Sequence, residues 1–265
     1  MKKIIKQNYR NFYDLFSEID CYVGVLGVLD CICQGEIYAD DDINPSVALM
    51  MTEDGHYLAG DLSNPEVTSL LQQFTNSDLY PEYAGIIFNS NKLNDVKALF
   101  GKKLYHIVER DNLVLKEGAF KQARPSDLTL TMVTRENLAD FSGYNDYKTL
   151  HDGTTFFWNE YKPSEKMNYC MLLSSGNEIV SKCIVCQESI SKNCCELDVE
   201  TIKKFRQNGY GLVAASETIK QAFKKGYQHI HWSCDKENYG SKRIADKLGF
   251  EKINESYLAW FDKKL

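Results

Sequence analysis

Hydrophobic positions along the chain change period several times, and the changes mark out its elements. After an amphipathic start, "GEIYADD" and "PSVALMMTEDGHYLAGD" alternate apolar and polar residues between Asn, Pro and Asp-Gly turn signals, so residues 22 to 62 read as β-rich. "NPEVTSLLQQFTN" carries a helical stripe behind an Asn-Pro start, and "YAGIIFNS" is a short apolar strand. "KLNDVKALFGKK" is a helix stopped at Gly101, and "LYHIVER" is again a strand. Leu115 to Leu130, "LKEGAFKQARPSDLTL", gathers Gly, Pro, Ser and charge between periodic regions. It reads as a linker, dividing the chain into residues 1–125 and 126–265. Beyond it the pattern predicts a strand at "LTLTMVT", helices at "RENLADFSG" and "TTFFWNEYK", and strands at "NYCMLLSSG", "EIVSKCIVCQ" and "CCELDVET". A helix at "GLVAASETIKQAFKKG", a strand at "YQHIHWSC", a helix at "NYGSKRIADKLGF" and a strand at "ESYLAWF" complete it. This order predicts an α+β protein with α/β-like layers, a sheet covered by helices.

With 265 residues, 43% of them hydrophobic and 12% aromatic, the chain can bury a core. Its formal charge of -6, with no local basic face, argues against nucleic acid and suits a cationic partner. The start "MKKIIKQNYRNFYDLF" breaks into polar residues before a signal-peptide core forms, and no run reaches the roughly 20 apolar residues of a membrane helix. The expectation is a cytoplasmic protein with no membrane partner. Of nine cysteines, Cys183, Cys186, Cys194 and Cys195 come nearest to a metal set, but a strand turns residues three apart to opposite faces. Buried, reduced thiols and no metal are expected.

The candidate chemistry lies in "VETIKKFRQNGYGLVAASETIKQAFKKG". Gly209 and Gly211 stand at a strand-to-helix turn, where the first helical N–H groups have no partner and the helix dipole favours an anion. Glycines let a diphosphate approach the backbone, and Arg206 offers a planar charged fork nearby. A Gly-x-Gly turn alone equally suits a ligand-free tight turn. The stretch is no Walker loop, and it lacks the third glycine of the dinucleotide fingerprint.

Downstream, "HIHWSCDKEN" and "NYGSKRIADKLGF" follow at fitting distance. Together with "RQNGYG" they resemble the GNAT superfamily of acyl-CoA-dependent N-acyltransferases, whose pyrophosphate loop has the form Arg/Gln-x-x-Gly-x-Gly/Ala. Arg206, Gly209 and Gly211 match that loop, and Asn238, Leu248, Gly249 and Phe250 match the family's later Asn and Leu-Gly-Phe. The wording is similar to a bacterial subgroup of about this length with an extra N-terminal region. The resemblance covers roughly the C-terminal half. It implies a GNAT fold there, with a splayed mixed sheet flanked by helices, and leaves the N-terminal α/β region as an accessory part or a degenerate copy of the same fold. It further implies acetyl-CoA as cosubstrate: backbone at Val199 and Thr201 on the pantetheine arm, amides of Gln207, Asn208, Gly209, Tyr210, Gly211 and Leu212 on the pyrophosphate, and Asn238 and Ser241 facing the thiol end or the adenine side.

Amine acylation needs a base, and the leaving thiolate benefits from a donor. Glu196, Asp198 and Glu200 alternate along "CELDVET", so a regular strand sets them on one face, as an acidic wall beside the thioester or as a solvated strand face. Glu196 and Glu200 are the candidate bases, and a bulge would change which of them points inward. Where the family commonly has a tyrosine before Leu-Gly-Phe, this chain has Ala245, which leaves Tyr239 or Ser241 on the same helix to substitute. His229 and His231 share a strand face, without a third metal ligand nearby. The resemblance implies an N-acetyltransferase acting on a primary amine of a small molecule or peptide. The alternative is a CoA-binding or protein-interaction module without turnover. Acceptor, acyl length and oligomeric state are not legible in the sequence.

Overall fold

The computed structural model describes residues 1–160 and 169–265. Tyr161 and Lys162 of the expected "TTFFWNEYK" helix and Asn168 of the expected "NYCMLLSSG" strand lie outside them. The chain begins with β1 (Lys2–Lys3), α1 (Tyr13–Phe16), α2 (Val23–Leu29), β2 (Glu36–Ala39), β3 (Val47–Met51) and β4 (His56–Gly60). Then come α3 (Pro65–Asn76), β5 (Tyr83–Asn89), α4 (Leu93–Phe100) and β6 (Leu104–Lys116). The remainder is β7 (Thr129–Val133), α5 (Tyr147–Glu160), β8 (Cys170–Ser175), β9 (Glu178–Ser189), β10 (Cys194–Thr201), α6 (Tyr210–Lys224), β11 (His229–Asp235), α7 (Tyr239–Leu248) and β12 (Glu251–Asp262).

Two units result. The first comprises Met1–Asn112, Ser233–Glu237 and Ile253–Leu265, the second Leu113–Trp232 and Asn238–Lys252. In the first, β1, β2, β3 and β4 pair antiparallel in turn, β4 pairs β5 in parallel across α3, and β5 pairs β12 antiparallel. In the second, β7, β8, β9 and β10 pair antiparallel in turn, and β10 pairs β11 in parallel across α6. Each unit therefore repeats one order, an antiparallel meander followed by a single parallel crossover over a helix. Leu58, Leu71, Phe74, Ile86, Phe88 and Phe261 fill the core of the first unit. Val133, Leu150, Trp158, Leu172 and Ile184 fill a core of the second between α5 and the sheet.

Both parallel ladders stop before β4 and β10 end. In the first unit the ladder ends at Tyr57↔Ile87, and charged side chains meet the rest of β4. Glu18 Oε1 accepts from Gly60 N–H at 2.9 Å, and Lys92 Nζ donates to the Gly60 carbonyl. Lys92 and Glu18 also pair at 3.1 Å. The following helix, α3, is closed by its own sequence: Asn64 Oδ1 caps Glu66 N–H at 3.0 Å, Pro65 takes the first turn, and Glu66 adds a negative charge there.

Three expectations need correction. Residues 22–29 are not extended, since "VGVLGVL" forms α2, buried on every side. A short run with no polar face has no period to distinguish helix from strand. "RENLADFSG" makes only a 3-10 turn, Leu138–Phe141. Asn137 Oδ1 accepts from Thr134 N–H at 2.7 Å while its Nδ2 donates to Met132 O at 3.1 Å, an alternative to helical bonding. β6 runs on to Lys116, so the linker stretch begins inside a strand. Further along, Lys121 N–H bonds Leu248 O at 3.0 Å and Ala123 N–H bonds Ser216 Oγ at 2.9 Å.

His56 lies buried in the first unit, Nδ1 2.9 Å from Tyr80 Oη, and burial pushes its pKa down to about 4. A lowered folded pKa gives stability that is complete above the unfolded value near 6.5 and lost as pH falls toward 4. Urea titrations at pH 7 and pH 4 should show His56→Phe losing about 3 kcal/mol less stability than the wild type between the two. Equal losses would mean that His56 protonates as readily folded as unfolded.

Among the described residues no helix is long and apolar enough to cross a membrane, and no three His, Cys, Asp or Glu are grouped to hold a metal. The cysteines are free thiols, buried except for Cys31. Burial raises Cys170 to about 12 and pushes Cys183 and Cys195 up.

Candidate active site

β10 carries most of the site, because its two edges have different fates. Its ladder with β9 runs on to Thr201↔Ser181, whereas its ladder with β11 ends at Glu196↔His231. The alternation of carbonyls locates the open side. Glu200 O lies on the β9 side, where Ser181 Oγ donates to it at 2.9 Å. The carbonyls of Val199 and Thr201 therefore turn to the other edge, where Arg206 Nε reaches Thr201 O at 3.0 Å.

The turn that follows is built from left-handed backbone. Gln207 has φ 67° and Gly209 φ 81°, with Asn208 between them donating from Nδ2 to Phe205 O and Arg206 O, each at 3.1 Å. Such alternation makes a concave array of N–H groups. Gly209 is the N-cap of α6, no side chain caps that helix, and its first turn has no acidic residue. The first helical bond reaching back to the cap is Val213 N–H to Gly209 O at 3.2 Å. By helix geometry the N–H groups of Tyr210, Gly211 and Leu212 precede it without a helical acceptor. A Cβ on Gly209 would meet nothing within 4 Å, so its glycine serves the positive φ. Gly211 serves close approach: a Cβ there would lie 2.9 Å from Thr201 Oγ1, 3.2 Å from Ile244 Cδ1 and 3.7 Å from Val199 Cγ2. The uncapped end of α6 is thus pressed against the end of β10 and against α7.

The other face of β10 holds the acids. Glu196 pairs Gln187 and Leu197 pairs Val185, so the extra residue of this bulge is Cys186 on β9, whose Sγ lies 3.3 Å from Glu196 O. β10 itself keeps its alternation, which sets Glu196, Asp198 and Glu200 on one side and turns Val199 toward Gly211. Glu196 is 8% exposed, while the side chains of Asp198 and Glu200 are 44% and 41% exposed. Sequence reasoning missed their partner, Lys182 on β9, which is 3% exposed with Nζ 3.4 Å from Glu200 Oε2 and 3.9 Å from Asp198 Oδ2. Its signal was a lysine inside the apolar run "EIVSKCIVCQ".

On α7, Asn238 Oδ1 caps Ser241 N–H at 3.1 Å, and Ser241 Oγ accepts from Trp232 Nε1 at 2.8 Å. Both side chains hold α7 in place. Asn238→Ala should lower the unfolding free energy by about 1 kcal/mol in a urea titration, the usual loss of a cap, and no loss would show the cap idle. Ala245 is fully buried, so no hydroxyl stands at that position. Tyr239, at the start of the helix, is 67% exposed. His229 pairs Cys194 and His231 pairs Glu196 across the parallel ladder. Burial, with a smaller effect of Lys116, lowers the pKa of His229.

The chain is 23% identical over 260 residues to an uncharacterized N-acetyltransferase, YdfB, of Bacillus subtilis (strain 168), covering 96% of each chain. Its fold is similar to that of a GCN5-related N-acetyltransferase-like protein from Streptococcus suis, with TM-score 0.62, 17% identity and coverage of 97% of this chain and 98% of that one. It is likewise similar to a tandem GNAT protein from the clavulanic acid biosynthesis pathway, with TM-score 0.65, 7% identity and coverage of 97% and 94%. The expected GNAT fold is thereby met, and the tandem likeness agrees with the repeated strand order of the two units. The GNAT acetyltransferase family model matches residues 14–259, nearly the whole chain, and the protein belongs to that family.

Proposed function

We propose that this acyltransferase moves an acetyl group from acetyl-CoA to a primary amine of a small molecule or peptide. The observation that carries the reading is the uncapped start of α6 beside the open stretch of β10. The donor set fits an acyl-CoA. Amides of Gln207 to Leu212 and the Arg206 guanidinium suit a diphosphate, and the edge at Val199 and Thr201 suits the amides of a pantetheine arm. When bound, acetyl-CoA supplies a thioester carbon open to attack by an amine.

The chain's own part is to orient the arm, draw in the acceptor and take a proton. Glu200, between Val199 and Thr201 in sequence and half-exposed, is the carboxylate an acceptor reaches, and we assign it the base. It removes the proton of the ammonium. The amine nitrogen would then bond to the acyl carbon, the carbon–sulfur bond would break with its electron pair leaving on the thiolate, and the surplus proton of the acylated nitrogen would pass to solvent while the thiolate takes one up, giving the amide and free thiol. Asp198 and the more buried Glu196 extend a negative face that suits a cationic acceptor. With alanine at position 245, Tyr239 is the hydroxyl of α7 left for the leaving thiolate, since Ser241 is engaged by Trp232.

Calorimetry with acetyl-CoA and a free-thiol assay across an amine panel test the reading together. Saturable binding with thiol release on at least one amine supports it. Absence of binding would reduce the turn to a structural feature.

A further inference from the structure

Lys182 and Gly153 are two irregularities that meet at one point. A lysine is rarely buried, and an ammonium taken from water is destabilising unless it is paired and hydrogen-bonded. A glycine inside a helix costs about 1 kcal/mol relative to alanine. Gly153 lies within α5, and a Cβ there would sit 2.5 Å from Lys182 Nζ and 3.2 Å from its Cε. Glu200 Oε2 would be 4.0 Å from that same Cβ. The helix thus passes over the ammonium at the residue that leaves it room. Packing alone would favour an apolar residue at 182, as at Ile184 on the same face, which is fully buried in the core under α5.

We propose that Lys182 is the positioning residue of the acetyl-transfer base, fixing the Glu200 carboxylate, together with Asp198, beneath the turn of α5 that Gly153 keeps clear for it. The inference rests on the assignment of Glu200 above. Two carboxylates on one strand face repel each other and swing freely in solvent; a buried cation between them gives each a fixed anchor. The groups facing Lys182 are Asp198 and Glu200 from β10, Cys170 from β8, held as the thiol by burial, and Gly153 from α5. The adjacent His151 and Asp152 pair with each other at 3.1 Å, and Lys148 completes that exposed group.

The test uses the full chain with Lys182→Met, Lys182→Arg, Gly153→Ala and Glu200→Gln. Lys182→Met should lower kcat at least about tenfold while leaving KM for the amine little changed, the split expected when a base is misplaced and no binding contact is lost. Its affinity for acetyl-CoA should stay within about twofold. Lys182→Arg, which keeps the charge, should keep most of the kcat that Lys182→Met loses, and Gly153→Ala, which displaces the ammonium, should lower kcat less than Lys182→Met. The carboxyl-carbon NMR signal of Glu200, which needs no acceptor, should move between the wild type and Lys182→Met at pH 7, because the ammonium 3.4 Å from Oε2 is gone. Should Lys182→Met not fold, Lys182→Arg and Gly153→Ala carry the comparison. An unchanged kcat and an unmoved Glu200 carboxyl signal in folded Lys182→Met overturn the inference. Full activity in Glu200→Gln overturns the base assignment instead.

Discussion

Replacing Gly211 with valine is expected to weaken acetyl-CoA binding at least about 100-fold, or close to 3 kcal/mol. The first added carbon already meets Thr201 Oγ1 at 2.9 Å and Ile244 Cδ1 at 3.2 Å, and valine brings two methyls more. Thr201 has little freedom to yield, because its Oγ1 is bonded to Ser181 Oγ at 2.9 Å. The start of α6 must therefore shift from the end of β10, and the N–H array moves with it. Calorimetry measures the loss directly. Gly211→Ala should lose about tenfold and guards against a valine variant that does not fold. Gly209→Ala provides the contrast, for its Cβ meets nothing and its cost is the left-handed backbone, about 1–2 kcal/mol. Wild-type affinity in a folded Gly211→Val protein would remove the diphosphate from this turn.

Glu200→Gln should lower kcat by roughly 10²–10⁴, the usual range for a lost general base, with affinity for acetyl-CoA little changed. Glutamine keeps the size of the side chain and removes its ability to take a proton. Glu196→Gln should cost less than about tenfold on the same scale, because that side chain is 8% exposed beside the Cys186 bulge, away from the open edge. Steady-state rates on a single amine decide between them, and a larger loss at Glu196 would move the base to the fork of the two strands.

The turn was legible in the sequence because its requirements are local. A positive φ at Gly209 and a cap at Asn238 are each written in a few adjacent residues, whereas the close approach of Gly211 to Thr201 and Ile244 belongs to the assembled fold. The alternation of Glu196, Asp198 and Glu200 was legible for the same reason, and it survives because the extra residue falls on β9. Lys182 was not, since its meaning depends on β10 beside it and on Gly153 above it, contacts that only the assembled fold creates. Helix α2 was hidden by its own burial. A second copy of the fold was readable only as one of two alternatives, because the repeated strand order lies in pairing and crossover and the residues that follow β4 and β10 share no motif.

Those two crossovers bear differently on the stability of the chain. After β4, Glu18 and Lys92 occupy Gly60 N–H and C=O, and Asn64 closes α3, so hydrogen bonding there is complete within the polypeptide. After β10, Arg206 Nε takes the Thr201 C=O, but no side chain caps α6 and its first N–H groups have no helical acceptor. The first crossover is closed by side chains of the chain itself, whereas the second keeps an uncapped helix start. On the proposed reading, a ligand at α6 completes the protein's own hydrogen bonding, so that recognition and the last increment of folding are one event.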